Sequence, residues 1–127
     1  MQVGIVRRLD GSLYPITPVH VEGTDGSSEI FQALLDTGFT EYVALPSDEI
    51  ERLNLTPLRK VVLEFANSTQ QVVQTYSATI IWCDVRRPVI VHEVGERPTV
   101  GMELIADTHV DFDAQDLGLI HARYIDG

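Results

Sequence analysis

The sequence predicts an all-β fold, a small closed barrel or sandwich of many short strands with one or two short helices. Three observations predict it. Runs of β-branched and aromatic residues recur along the 127 residues, broken by Gly, Pro, Asp, Asn and Ser turn chemistry. Helical spacing of apolar residues is confined to two short segments, 47–53 and 101–107. Six Pro and nine Gly are dispersed along the chain, so no linker divides it and one domain spanning 1–127 is expected.

The elements follow in order. Residues 16–22 are rich in β-branched side chains and read as a strand. Gly23-Thr24-Asp25-Gly26-Ser27-Ser28 is turn chemistry, and 29–36 returns as a second strand to make a hairpin. Residues 42–45 form a third strand, stopped by Pro46. Ser47 then reads as the N-cap of a short helix, with Ile50 and Leu53 on one face and Asp48 and Glu49 suited to the positive end of its dipole. Residues 61–66 and 71–82 are two long strands around the polar tip Asn67-Ser68-Thr69-Gln70. Another strand covers 87–93, and 101–107 is the second helix candidate. Residues 110–113 alternate apolar and acidic, as a half-exposed strand does, and 119–125 is a last strand.

Composition excludes several classes. Nineteen acidic against nine basic residues leave a net charge of -10, which argues against a nucleic-acid partner. The same charge opposes self-association, so any dimer needs apolar or strand-pairing contacts. Cys83 is the only cysteine, which rules out an intrachain disulfide and points to a reducing compartment. The N-terminal residues show no secretory apolar run, and no segment approaches the roughly 18 apolar residues of a spanning helix. A cytoplasmic location with no membrane partner is therefore expected. Asn67-Ser68-Thr69 matches a glycosylation sequon, discounted without a secretory signal.

The chemistry-bearing feature is Leu34-Leu35-Asp36-Thr37-Gly38-Phe39-Thr40. An apolar strand runs straight into a carboxylate, a hydroxyl and a glycine. Asp is depleted in strands, and a carboxylate at the end of a buried run is costly unless something holds it. The plain alternative is a turn-initiating Asp, since Asp-x-Gly makes good turns. Asp10-Gly11, Asp25-Gly26 and Asp126-Gly127 lack the hydroxyl residue between acid and glycine. If Asp36 is half of a carboxylate pair, the other half must come from a second copy.

Four segments in order resemble the retropepsin-like aspartic proteases of clan AA, in particular the small bacterial ones. They are Leu34 to Thr40 followed by Val43-Ala44-Leu45-Pro46; Phe65-Ala66-Asn67-Ser68-Thr69-Gln70; Ile81-Trp82-Cys83-Asp84 through Arg87-Pro88-Val89-Ile90-Val91; and Pro98-Thr99-Val100-Gly101-Met102-Glu103-Leu104-Ile105. Together they span roughly residues 16–125, nearly a whole domain.

The resemblance implies a retropepsin-type barrel with its active site at a homodimer interface. Asp36 from each subunit would form the catalytic dyad of an aspartic endopeptidase acting on peptides or proteins, with terminal strands interleaved between the copies. Thr37 would hydrogen-bond across the dimer, Gly38 would hold a carboxylate oxygen, Thr40 would support the loop from behind, and Gly101 would let the second helix pack against it. Ala66, Asn67, Ser68 and Thr69 would form a flap over the substrate. No cofactor and no metal are implied. Two positions depart from the viral pattern: Phe39 stands where a small residue follows the glycine, and the flap tip lacks glycine.

Other readings are blander. His20, His92, His109 and His121 lie far apart without ligand spacing. Asp107, Asp111, Asp113 and Asp116 miss the spacing of a calcium loop. Cys83, read as lying within a strand beside Trp82, is expected to be a buried structural thiol, and Trp82 and Tyr76 to be packing residues. Two alternatives in function remain: a catalytically inactive module of the same fold that binds peptides or dimerises, and an unrelated small barrel that binds a ligand.

Overall fold

In the computed structural model, residues 1–126 are described and Gly127 lies outside the described residues. Ten strands join into one connected sheet: β1 (Gln2–Leu9), β2 (Ser12–Glu22), β3 (Ser28–Leu35), β4 (Val43–Leu45), β5 (Thr56–Glu64), β6 (Gln70–Trp82), β7 (Val85–Glu93), β8 (Thr99–Val100), β9 (Thr108–Phe112) and β10 (Leu119–Tyr124). Among the described residues the one helix is α1 (Ser47–Glu51).

The pairings close on themselves. β2 pairs β3, β3 pairs β8, β8 pairs β4, β4 pairs β7, β7 pairs β6, and β6 returns to β2. The expected closed all-β architecture is thus a six-strand ring. β2 makes this possible by changing neighbour along its length. Its first half, Ser12 to Ile16, pairs β1, and its last residues, His20 to Glu22, pair Thr79 to Ile81 of β6.

Alternation explains what fills the ring. Thr17, Val19 and Val21 of β2 and Phe31, Ala33 and Leu35 of β3 are buried, while Pro18, Ile30 and Gln32 face out. Val43, Ala44 and Leu45 are all buried, because β4 lies inside the sheet between β7 and β8. Ile80, Trp82, Val89, Val91, Val100 and Leu104 complete the core.

Several expectations are corrected. β1 and the first half of β2 were not foreseen, although Asp10-Gly11 at φ 49° and 84° is a hairpin turn of the kind that dipeptide favours. Ser47 is the first helical residue rather than the cap. Pro46 occupies the cap position, without a side-chain bond, and its fixed φ of -62° suits that place. Cys83 lies in the β6–β7 turn, not in a strand, with positive φ at both Cys83 and Asp84. It is half-buried, and burial raises its thiol pKa.

Residues 101–107 form successive turns instead of a helix. Their leading N–H groups are drawn elsewhere: Gly101 donates to Tyr42 O, Met102 to Phe39 O and Glu103 to Glu41 O. Those bonds tie the segment to the loop after β3. On the other side, Arg87 Nη1 donates to Leu104 O.

The chain termini pair with each other within one copy. The Met1 ammonium donates to Ala122 O at 3.0 Å, and Ala122 N returns a bond to Met1 O at 2.9 Å. β1 lies between β2 and β10, and β10 between β1 and β9. β5 and β9 are the two edges of the sheet.

Candidate active site

Asp36 follows the last residue of β3 and is exposed. Its backbone is held from inside the ring, where Asp36 N donates to Val100 O at 2.9 Å. Its side chain closes a small turn: Gly38 N donates to Oδ1 at 2.8 Å, and Phe39 N donates to Asp36 O at 3.1 Å. The strand therefore ends where the chain starts bonding to its own acid, as short acidic side chains favour in turns.

Gly101 sits behind this loop. A Cβ there would meet Phe39 O at 2.4 Å and Glu41 O at 2.5 Å. Only a hydrogen fits, so the glycine lets the 101–107 turns lie against the loop backbone. The Phe39 ring is turned toward the same place, with Cδ2 at 2.7 Å from that hypothetical Cβ and its ring edge-on to His92 at a centroid distance of 6.2 Å.

A cleft of about 490 Å³ opens in front of the loop. Asp36, Gly38, Phe39, Thr40 and Thr99 form one side, and Leu63, Glu64, Phe65 and Ala66 of the β5–β6 hairpin form the other. The structure thus brings Asp36, Gly38, Thr40 and Ala66 to one cleft. Thr40 lines it. Thr37 is exposed beside Asp36.

Asn67, Ser68 and Thr69 form the hairpin tip. Phe65 N donates to Thr69 O, Ser68 N to Phe65 O, and Thr69 N and Oγ1 both donate to Asn67 Oδ1. Ser68 takes φ 65°, so a serine occupies the left-handed position that glycine would take more readily. At the hairpin's root, Tyr76 donates to Glu93 Oε1 at 2.6 Å. That bond to a carboxylate pushes its phenol pKa up to about 12.

One histidine that the sequence offers only as an ordinary strand residue is buried beside the site. His92 is 4% exposed, lies below Phe39, and lines a second pocket of about 410 Å³ with Glu41, Arg59 and Thr75. Its Nδ1 is buried without a partner. Burial lowers its pKa below 6.5, with Glu41 pulling weakly the other way. Nothing in Val89-Ile90-Val91-His92-Glu93 distinguishes this histidine from an ordinary strand residue.

Among the described residues, no three His, Cys, Asp or Glu side chains converge as a metal cage, and no helix is long and apolar enough to cross a membrane.

No family model matches the chain, and no curated protein matches it in sequence. Solved structures do match it in shape. EIAV protease complexed with the inhibitor HBY-793 superposes with a TM-score of 0.54 at 18% identity, covering 78% of this chain and 91% of the other. A retropepsin-like aspartic protease from Rickettsia conorii gives a TM-score of 0.54 at 16% identity, covering 97% and 92%. The fold is retropepsin-like. In this retropepsin-like chain, the Asp36 loop, the 101–107 turns and the overhanging β5–β6 hairpin are built from residues far apart in sequence and held by main-chain bonds. Side chains at the cleft can therefore differ widely while the frame is kept, which fits the low identity.

Proposed function

We propose that the chain is one domain of a homodimeric aspartic endopeptidase, with Asp36 of each copy forming the dyad. The observation that carries this reading is the placement of Asp36: exposed in a cleft beneath a hairpin, with Oδ1 held by Gly38 N–H. The sequence holds a single Asp-Thr-Gly, so the second acid must come from a second chain.

Two carboxylates about 3 Å apart do not both ionise; they share one proton. The charged member takes a proton from water, which attacks the peptide carbonyl, while the protonated member donates to the carbonyl oxygen. Collapse of the tetrahedral species breaks the C–N bond and passes a proton to the leaving amine. The two Asp36 copies are equivalent until substrate breaks the symmetry, and their titration belongs to the pair. Thr37 supplies a hydroxyl across the dimer, and Gly101 fixes the loop. Ala66, Asn67, Ser68 and Thr69 close over an extended peptide that adds as a strand.

The intact Asp36-Thr37-Gly38 triplet favours catalysis over an inactive module, because a decayed site has no reason to keep all three. The test is cleavage of a complex peptide library read by mass spectrometry from pH 4 to 8, with wild type and Asp36→Asn side by side. New termini made only by wild type, most at mildly acidic pH, support the proposal. Equal cleavage by both removes Asp36 from the mechanism, and no cleavage by a confirmed dimer favours the inactive module.

A further inference from the structure

The 410 Å³ pocket at His92 lies between the β5–β6 hairpin and β7, and it shares only Leu63 with the Asp36 cleft. Leu58, Val61, Leu63 and Ile90 make much of its wall aliphatic. Two polar side chains at this wall are unanswered. His92 is buried, and its Nδ1 has no partner. A buried polar atom left unpaired is costly. Glu41 enters none of the ion pairs among the described residues, and its charge reaches His92. Thr75 is already engaged, because its hydroxyl donates to Arg59 O. Arg59 is exposed, so water solvates its guanidinium.

We propose that this pocket selects a lysine or arginine side chain of the peptide held in the Asp36 cleft. The aliphatic stem packs on Leu58, Val61, Leu63 and Ile90, and the cationic head donates to the Glu41 carboxylate and to His92 Nδ1. Burial keeps His92 neutral, so with the ring proton on Nε2 its Nδ1 is an acceptor. An acidic side chain brings no donor and meets the charge of Glu41. An apolar one leaves Nδ1 unpaired. Two residues connect the pocket to the cleft. Leu63 lines both, and Phe39, which lines the cleft, sets its ring edge-on to His92 at 6.2 Å. Asp36, Gly38 and Thr40 line the cleft and not the pocket. The pocket therefore takes a residue farther along the peptide than the two that flank the cut bond. The net charge of -10 adds a general attraction for cationic peptides, and Glu41 and His92 fix the position of the cation.

This inference rests on the endopeptidase reading above and names its substrate class. The test is selection of binders from a random peptide library by the full chain carrying Asp36→Asn, which holds peptides uncut. The same chain with Glu41→Gln, Glu41→Lys or His92→Leu added is run beside it, with circular dichroism to verify folding. Lys and Arg should be enriched about tenfold or more at one fixed position. Glu41→Gln should remove most of that enrichment, and Glu41→Lys should turn it toward Asp and Glu, which a merely structural role for Glu41 would not do. His92→Leu should cut the enrichment several-fold and admit apolar residues at the same position. Binders without a basic position, an enrichment unmoved by Glu41→Gln, or no binders at all overturn the pocket. Cleavage of the selected peptides by wild type reports on the endopeptidase separately. Basic peptides that bind but stay whole overturn the endopeptidase and keep the pocket, and cleavage by wild type without a basic preference does the reverse.

Discussion

Two aspartates at opposite ends of β3 begin the same kind of turn and end up chemically different. Asp25 Oδ1 accepts from Ser27 N at 3.0 Å, and Oδ2 accepts from Asn54 Nδ2 at 3.0 Å. Those bonds, with that of the Ser27 hydroxyl foremost, lower its pKa to about 2. Asp36 makes the same first bond, from Gly38 N to Oδ1 at 2.8 Å, but faces a cleft where Asp25 faces a neighbouring side chain. Both are Asp-x-x turns in sequence. The difference teaches that the same Asp-x-x turn leaves one carboxylate with both oxygens bonded to neighbouring groups and the other with acceptor capacity open to a cleft.

The sharpest way to break this comparison is to neutralise each acid. Asp36→Asn should lower the cleavage rate by roughly 10²–10⁴-fold or more, with a melting curve close to wild type. Asp25→Asn should do the reverse, lowering the melting temperature while turnover per folded molecule is kept. Paired rate and melting measurements that fail to cross over in this way would sink the distinction.

Gly101→Ala tests whether the Asp36 loop depends on its backing. A Cβ at 2.4 Å from Phe39 O must displace the loop. We expect a loss of about 1–3 kcal/mol in denaturant unfolding together with reduced cleavage. An unchanged midpoint would mean that the loop is not held from behind.

How much of this was legible follows the same division. The β2–β3 hairpin and the strand ending at Asp36 could be read because alternation and turn chemistry agree there. The 101–107 segment could not. Its apolar spacing is helical, but its N–H groups bond to Phe39, Glu41 and Tyr42 carbonyls some sixty residues away, and single-segment periodicity carries no trace of such partners. The burial of His92 was not legible for a related reason: it arises where β7 passes under the Phe39 loop, a tertiary event. β1 was missed despite a usable signal, the Asp10-Gly11 turn between Leu9 and Ser12. Residues 1–15 carry Arg7, Arg8 and Pro15, which obscured the strand pattern.

His92 sharpens the comparison from the side of pH. Burial depresses its folded pKa, so the unfolded chain takes up the proton first as pH falls. Its contribution is complete above about 6.5 and is lost as pH drops toward the lower folded value. The melting temperature of wild type should decline through this range more steeply than that of His92→Phe. Parallel curves would show that the imidazole does not titrate with folding.

The smallest effect is at the hairpin tip. Ser68 holds φ 65°, so Ser68→Gly should relieve about 1 kcal/mol of local strain, partly offset by greater freedom of the unfolded chain. A net change within about 0.5 kcal/mol, with cleavage intact, is expected.

The splice between β2 and β6 has a kinetic meaning. The ring closes through His20, Val21 and Glu22 against Ile81, Ile80 and Thr79, a short seam between segments distant along the chain. Such contacts carry a large loop-closure entropy and form late, after the local hairpins. A partial opening at this seam would separate β2 from β6 and expose the turn that follows. Cys83, the only thiol, stands two residues past the end of that pairing, and its slow modification by a thiol reagent would clock the opening without any added label.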